Sequence, residues 1–456
     1  MLRKKSAPIS RRWVARFPKI SVALLLCAGS ILSGIVFAEG PKRPGKPAGP
    51  RVTSDLTGMV ATRDGEHLRL ITDLGEVVIH TKASGKLEYR GHLEADASQK
   101  GANQLLKSFV VTARETPQGV FLRGQTFDRR CSGRLWVTLE INVPRNYSLD
   151  VSTGGGSIEL DDINGRVALS TSGGNIMAGN IGGPARLSTD GGHIIVKNVA
   201  GELVAVTGGG HITTGAITGS ASLRTTGGHI RVASVGGTAR LETGGGNITL
   251  ERSGAELVAE TSGGQIEVGE ASGLVRAKTG GGGIRVVRAS GPANLQTVGG
   301  SIYLTQVDSA VKASANAGGI TAWFVSPAKL TSTCELQSND GDIVVYLPRQ
   351  LAVTIDASVQ MGDEHRLIVD PAFPLKVSYD DSSITSRTIR AEGALNGGGE
   401  VLRLRTVAGD IRVALSDTNK QIQIYKTQME QLQQQLDSQL RALEKSQQSS
   451  ADSSQP

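Results

Sequence analysis

Three histidines, His193, His211 and His229, recur at an 18-residue interval that can set them side by side. If that interval makes one turn of a coiled chain, their imidazoles stack coil above coil and could converge on a transition metal such as Zn²⁺ or Cu²⁺. The same column holds Asn175 before them and Asn247 and Gln265 after. What these residue types share is hydrogen bonding, so a polar stacking ladder beside a turn is the other reading of the row. Neither a cysteine nor a matched carboxylate accompanies the histidines to complete a coordination sphere.

Other chemistry finds less support. Thr153, Thr171, Thr189, Thr207, Thr225, Thr243, Thr261, Thr279 and Thr297 form a second 18-residue column. Outward threonine rows can bind ice. These lie two residues after an apolar column, so strand parity turns them inward, where hydroxyls bond one another and the turn backbone. Asp161-Asp162 and Asp340 with Asp342 are close acidic pairs in turn contexts, where aspartate is expected. A β-helix polysaccharide lyase or hydrolase needs clustered acids and aromatics to hold sugars, and aromatics are 4 % of this chain. Hexapeptide acyltransferases share the coil length and use a histidine base. Here the aliphatic positions Leu187, Ile194, Val199 and Ala205 are not spaced at a strict six. The run Gly280–Gly283 lacks the Lys-Ser/Thr and helix of a phosphate loop. The expectation is a non-enzyme with no cofactor.

What positions these residues is the repeat itself. Ile158, Ile176, Ile194, Ile212, Ile230, Ile248, Ile266, Ile284, Ile302 and Ile320 keep the 18-residue interval without an insertion. A glycine stands two residues before each, from Gly156 to Gly318, and a second precedes that one until Ala317 interrupts it. Paired glycines in every coil imply a corner that needs positive φ or close backbone packing. Apolar columns through Leu187, Val196, Val199 and Leu203 alternate with polar positions, the mark of strands with one buried face. The pattern predicts an all-β, single-stranded parallel β-helix, right-handed, with about three strands per coil. Coils stacking about 4.8 Å apart make a rod roughly 48 Å long. Variable charged columns, such as Arg224, Glu242, Glu260 and Lys278, face solvent.

The flanks divide as follows. Residues 1–38 carry seven basic residues and no acid, then an apolar run over 20–38, reading as a signal peptide or membrane tether. Those seven charges account for the whole formal charge of +7, so nucleic acid is not an expected partner. Residues 39–50 are a Pro-rich linker, 51–150 a β-rich cap region, 151–322 the regular solenoid and 323–415 its irregular close. Residues 416–446 suggest a coiled-coil helix or a capping helix, through Ile422, Tyr425, Met429, Leu432 and Leu436, with homo-oligomerisation as one outcome. A disordered tail, 447–456, ends the chain. Cys131 and Cys334 lie at opposite ends of the regular coils, too far apart for a disulfide.

One stretch carries a resemblance. Val137-Thr138-Leu139-Glu140-Ile141-Asn142-Val143-Pro144 leads into Val151-Ser152-Thr153-Gly154-Gly155-Gly156-Ser157-Ile158. This looks like the bacterial domains of unknown function called putative adhesins, built on T-x-G-G-x-I coils. Asp342-Ile343-Val344-Val345-Tyr346-Leu347-Pro348 and Gly409-Asp410-Ile411 are similar to that family's closing segment. The resemblance covers about residues 135–415 and implies the solenoid fold. It brings no catalytic or ligand residues. With the export segment, it implies a binding surface for an envelope or surface protein or glycan, in the periplasm or at the cell surface. The alternative function is a β-helix enzyme acting on envelope polysaccharide.

Overall fold

A computed structural model describes residues 49–416, apart from 83–84, 128–133, 326–329, 331, 362–363 and 381–386. The segments expected to form an export signal, a linker through residue 48, a C-terminal helix beyond Ser416 and a tail, together with Cys131, lie outside the described residues. These described residues form one compact unit.

Each 18-residue period makes one coil of two strands. In one coil these are Ile176–Ile181 and Ala185–Thr189, and in the next Ile194–Val199 and Leu203–Thr207. Equivalent strands pair in parallel, Ile176 with Ile194 and Leu187 with Ala205. Two stacked sheets result, an isoleucine sheet and a threonine sheet named for their columns. The three strands expected per coil are thus corrected to two. Two apolar columns fall on one strand: Ile176 and Ile181 are both buried on Ile176–Ile181, whose ladder passes over Gly179. Inward parity changes there from even to odd positions, so the strand turns a corner without ending.

The ten isoleucines of the 18-residue column, Ile158 to Ile320, are each at most 1 % exposed. Full burial of one such side chain is worth about 1.5–3 kcal/mol, against about 0–1 kcal/mol for an exposed ion pair. The inward columns therefore decide the fold.

The corners resolve the glycine question. Positive φ among the described glycines occurs at Gly65, Gly75, Gly101, Gly119, Gly397 and Gly398, none of them in the regular corners. Close packing is the reason instead. A Cβ on Gly228 would overlap the carbonyl of Gly210 in the coil below, whereas one on Gly227 would meet nothing within 4 Å. That asymmetry explains why Ala317 is tolerated in the outer glycine column.

Both ends break chain order in the same way. The leading coil, His67–Thr72 with Glu76–Thr81, is not outermost. It pairs in parallel on one side with Ser148–Thr153 and Ile158–Leu160, and on the other with Gly119–Thr126 and Leu135–Val143. The closing coil, Val401–Ala408 with Ile411–Leu415, likewise lies between Cys334–Asp340 with Ile343–Leu347 and Val353–Val359 with Leu367–Val369. Parallel coils thus begin and end beyond the stretch where an 18-residue period is visible. Antiparallel strands finish the stacks. Arg51–Ala61 pairs with Lys86–Asp96 and Phe109–Thr116 with Gly119–Thr126 at one end, and Lys376–Asp380 with Thr388–Leu395 at the other. These antiparallel additions separate the coil stack from its free edges, the part of a sheet most open to unwanted pairing.

Candidate functional site

The histidine row sits where the glycine corner enters the isoleucine sheet. The backbone N–H of His211 donates to Nδ1 of His193 (2.9 Å), and that of His229 donates to Nδ1 of His211 (2.9 Å). Asn175 and Asn247 serve the same ladder with Oδ1: His193 N–H donates to Asn175 (2.8 Å) and Gln265 N–H to Asn247 (3.0 Å). Asn247 N–H in turn donates to Nδ1 of His229 (2.8 Å). Because a backbone N–H only donates, each bonded Nδ1 is the lone-pair nitrogen and the ring proton resides on Nε2. The rings stack 4.9 Å apart, within 14° of parallel.

That geometry bears directly on metal binding. Two nitrogens on one Zn²⁺ at about 2.0–2.1 Å must approach far closer than one coil spacing. Nε2 would also have to shed its proton to Nδ1 and forfeit the rung. The row as built is therefore a hydrogen-bond ladder in which histidine replaces asparagine. His211 is held below its ordinary pKa by burial first, and then by the neighbouring His193, His229 and Arg231.

The threonine row points inward, as its parity predicts. Thr225 Oγ1 donates to the carbonyl of Gly210 (2.8 Å) and accepts from the N–H of Gly228 (3.1 Å). Thr207, Thr243, Thr261 and Thr279 repeat both bonds. The partners are corner backbone and not one another. Each hydroxyl staples a corner to the one before, which leaves none of these five free to meet ice.

An open depression of about 590 Å³ lies on the outer face of the isoleucine sheet, near its leading end. Val78, Met177 and Ile195 form its floor, with His80, Asp161, Asp162 and Arg145 around it. The acidic pair flagged in the sequence is here, and its groups are engaged. His80 Nδ1 lies 3.0 Å from Asp161, and Asp162 takes both the backbone N–H (2.7 Å) and side-chain N–H (3.0 Å) of Asn180. Those bonds to Asn180, backbone first, hold the Asp162 carboxyl below its usual range, helped by Lys197 and Arg145. Asp340 ends the strand Cys334–Asp340 and Asp342 lies in the turn before Ile343, far along the stack from this pair. Cys334 is buried, its thiol pushed up chiefly by burial.

Two arrangements escape the 18-residue pattern. His80 meets Asp161 because the leading coil lies beside the first regular one, which no period announces. Trp323 and Tyr346 stack at 4.9 Å and within 3° of parallel on the outer face of the isoleucine sheet. The step from Ile320 to Ile343 is longer than one period, so a search at the regular interval leaves the two aromatics unaligned.

A family model described as Toastrack DUF4097 matches residues 66–413. A search of curated proteins finds no match. Among solved structures, a "putative cell adhesion protein" from Clostridium sporogenes ATCC 15579 is 10 % identical, covering 80 % of this chain and 100 % of that one, with a TM-score of 0.17. A "putative adhesin" from Bacteroides fragilis NCTC 9343 is 13 % identical over 64 % of this chain and 96 % of that one, with a TM-score of 0.20. At those scores neither bears on function.

Proposed function

The chain belongs to the Toastrack DUF4097 family, and from that premise we propose that it is a non-enzymatic, exported scaffold presenting a binding surface in the cell envelope. The observation that carries this reading is the division of labour within a coil. Inward columns make the core, corner groups make the ladders, and only the outward columns vary freely along two long sheets. A repeat that spends its regular positions on stacking leaves recognition to those faces, through many shallow contacts. The basic-then-apolar segment before residue 39 supports export.

The enzymatic alternative is a glycan-cleaving β-helix. Its general acid would need a carboxyl raised above the ordinary range. Asp162, in the depression described above, is shifted the other way.

Affinity capture from envelope fractions tests the reading, using residues 39–456 with and without 417–456. The expected result is recovery of an envelope glycan or protein by both forms, with a larger particle mass only when 417–456 is present. No retention of envelope material by either form overturns the scaffold. Equal masses overturn the self-association assigned to the C-terminal segment.

A further inference from the structure

The two broad faces differ in charge, and the difference points to a ligand. On the threonine sheet between Ala185 and Ala315, the outward positions include six cations, Arg186, Arg224, Arg240, Arg276, Lys278 and Lys312, against the two acids Glu242 and Glu260. All six cations are exposed. Arg224 and Arg240 share Glu242, and Arg276 reaches Glu256 in the adjoining turn (3.4 Å). Arg186, Lys278 and Lys312 have no ion-pair partner among the described residues. The isoleucine sheet over the same coils carries a smaller excess: Lys197, Arg231, Arg252, Arg285 and Arg288 are interspersed with Glu251, Glu267 and Glu270.

The placement is as telling as the number. Arg240, Arg276 and Lys312 occupy one column on every second coil, with Val258 and Asn294 on the coils between. Two parallel-strand spacings put the charges about 10 Å apart in a line along the stack. A column of cations at that pitch along a sheet complements a stiff linear polymer with a recurrent negative charge. An extended acidic disaccharide repeat covers a comparable length.

We propose that the outer face of the threonine sheet binds a linear acidic polysaccharide lying along the solenoid axis, with Arg240, Arg276 and Lys312 engaging successive carboxylates. This rests on the scaffold reading above and names its face and ligand class. Attraction between exposed charges is screened by salt, so binding weakens as ionic strength rises. Nucleic acid presents its phosphates at a much closer interval, and a vesicle presents a plane of charge and not a line.

The test is affinity electrophoresis of the full chain through gels containing hyaluronate, which carries one carboxylate per disaccharide, with neutral dextran as control. Hyaluronate is expected to retard the protein and dextran to leave it unaffected. The combined variant Arg240→Ser, Arg276→Ser, Lys312→Ser should lose about tenfold in affinity. The variant Arg231→Ser, Arg252→Ser, Arg288→Ser, on the opposite face, removes the same charge and should bind as the parent does. Equal losses in the two variants, or no retardation of the parent, overturn the proposal. So does binding of an oligonucleotide or phosphatidylglycerol vesicles as tightly as the polysaccharide. If the threonine-sheet variant still captures envelope material unchanged, the ligand assignment fails while the scaffold reading stands.

Discussion

Behind the α-carbon of Gly227 there is open space, and behind that of Gly228 there is a carbonyl. Gly228→Ala must push two coils apart, and overpacking of this kind costs about 3 kcal/mol. Gly227→Ala should stay within about 0.5 kcal/mol of the parent, as surface substitutions do. Urea unfolding of the pair measures both. The histidines make the second prediction at this scale. An imidazole protonated on Nδ1 can no longer accept the N–H of the next coil. The folded-state pKa of His211 lies below its ordinary 6.5, so its share of stability is whole above that pH. It is lost as pH falls through the depressed value. Melting temperature should therefore drop between pH 7.5 and pH 5, and drop less when His193, His211 and His229 are all replaced by asparagine, which accepts the same bond without titrating. Calorimetry with Zn²⁺ should show no heat that those substitutions change. The sequence made the equivalence of His and Asn visible, since both occupy one column. It could not reveal that Nδ1 is the bonded atom, because that depends on the angle at which the corner meets the sheet.

The strand and corner are held to each other by the threonines. Thr225→Val keeps the shape and removes a donor and an acceptor, stranding the Gly210 carbonyl and the Gly228 N–H at the corner. A buried polar group left unpaired costs about 1–3 kcal/mol, so this single change should lower the urea midpoint clearly. Substituting an exposed neighbour, Arg224→Ser, should barely move it. Element boundaries were only partly legible from the residues. Parity identified which side chains face inward, and it correctly turned the threonines away from solvent. It miscounted the strands, because a change of parity at Gly179 looks on paper like a new strand and in space is a bend. The aromatic pair Trp323 and Tyr346 was hidden for a related reason: the extra residues before Ile343 shift the numbers without shifting the coil.

A stack of equivalent coils tolerates loss of a whole coil better than loss of part of one. Deleting one full period from the middle, such as 221–238, leaves every inward column in register, and the shortened chain should fold with a similar far-ultraviolet circular dichroism per residue. Deleting one residue fewer, 221–237, turns the inward positions of the following strands outward, and should abolish cooperative unfolding. Removing 67–81 should be far more damaging than its size suggests. That stretch is paired along both edges, and its absence leaves the coils on either side without a shared ladder. The same arrangement constrains how the rod comes into being. A chain that is synthesised from its N-terminus delivers residues 67–81 before either neighbour exists, so they must wait until residue 160 has followed. The closing coil, arriving last, must slip between two coils already formed or hold them apart until it does. The leading coil can thus be completed once residue 160 is present, and the closing coil only after both of its neighbours exist. A pull on either terminal coil then loads two ladders in shear instead of peeling one away, a useful property in any fibre anchored at one end and gripped along its side.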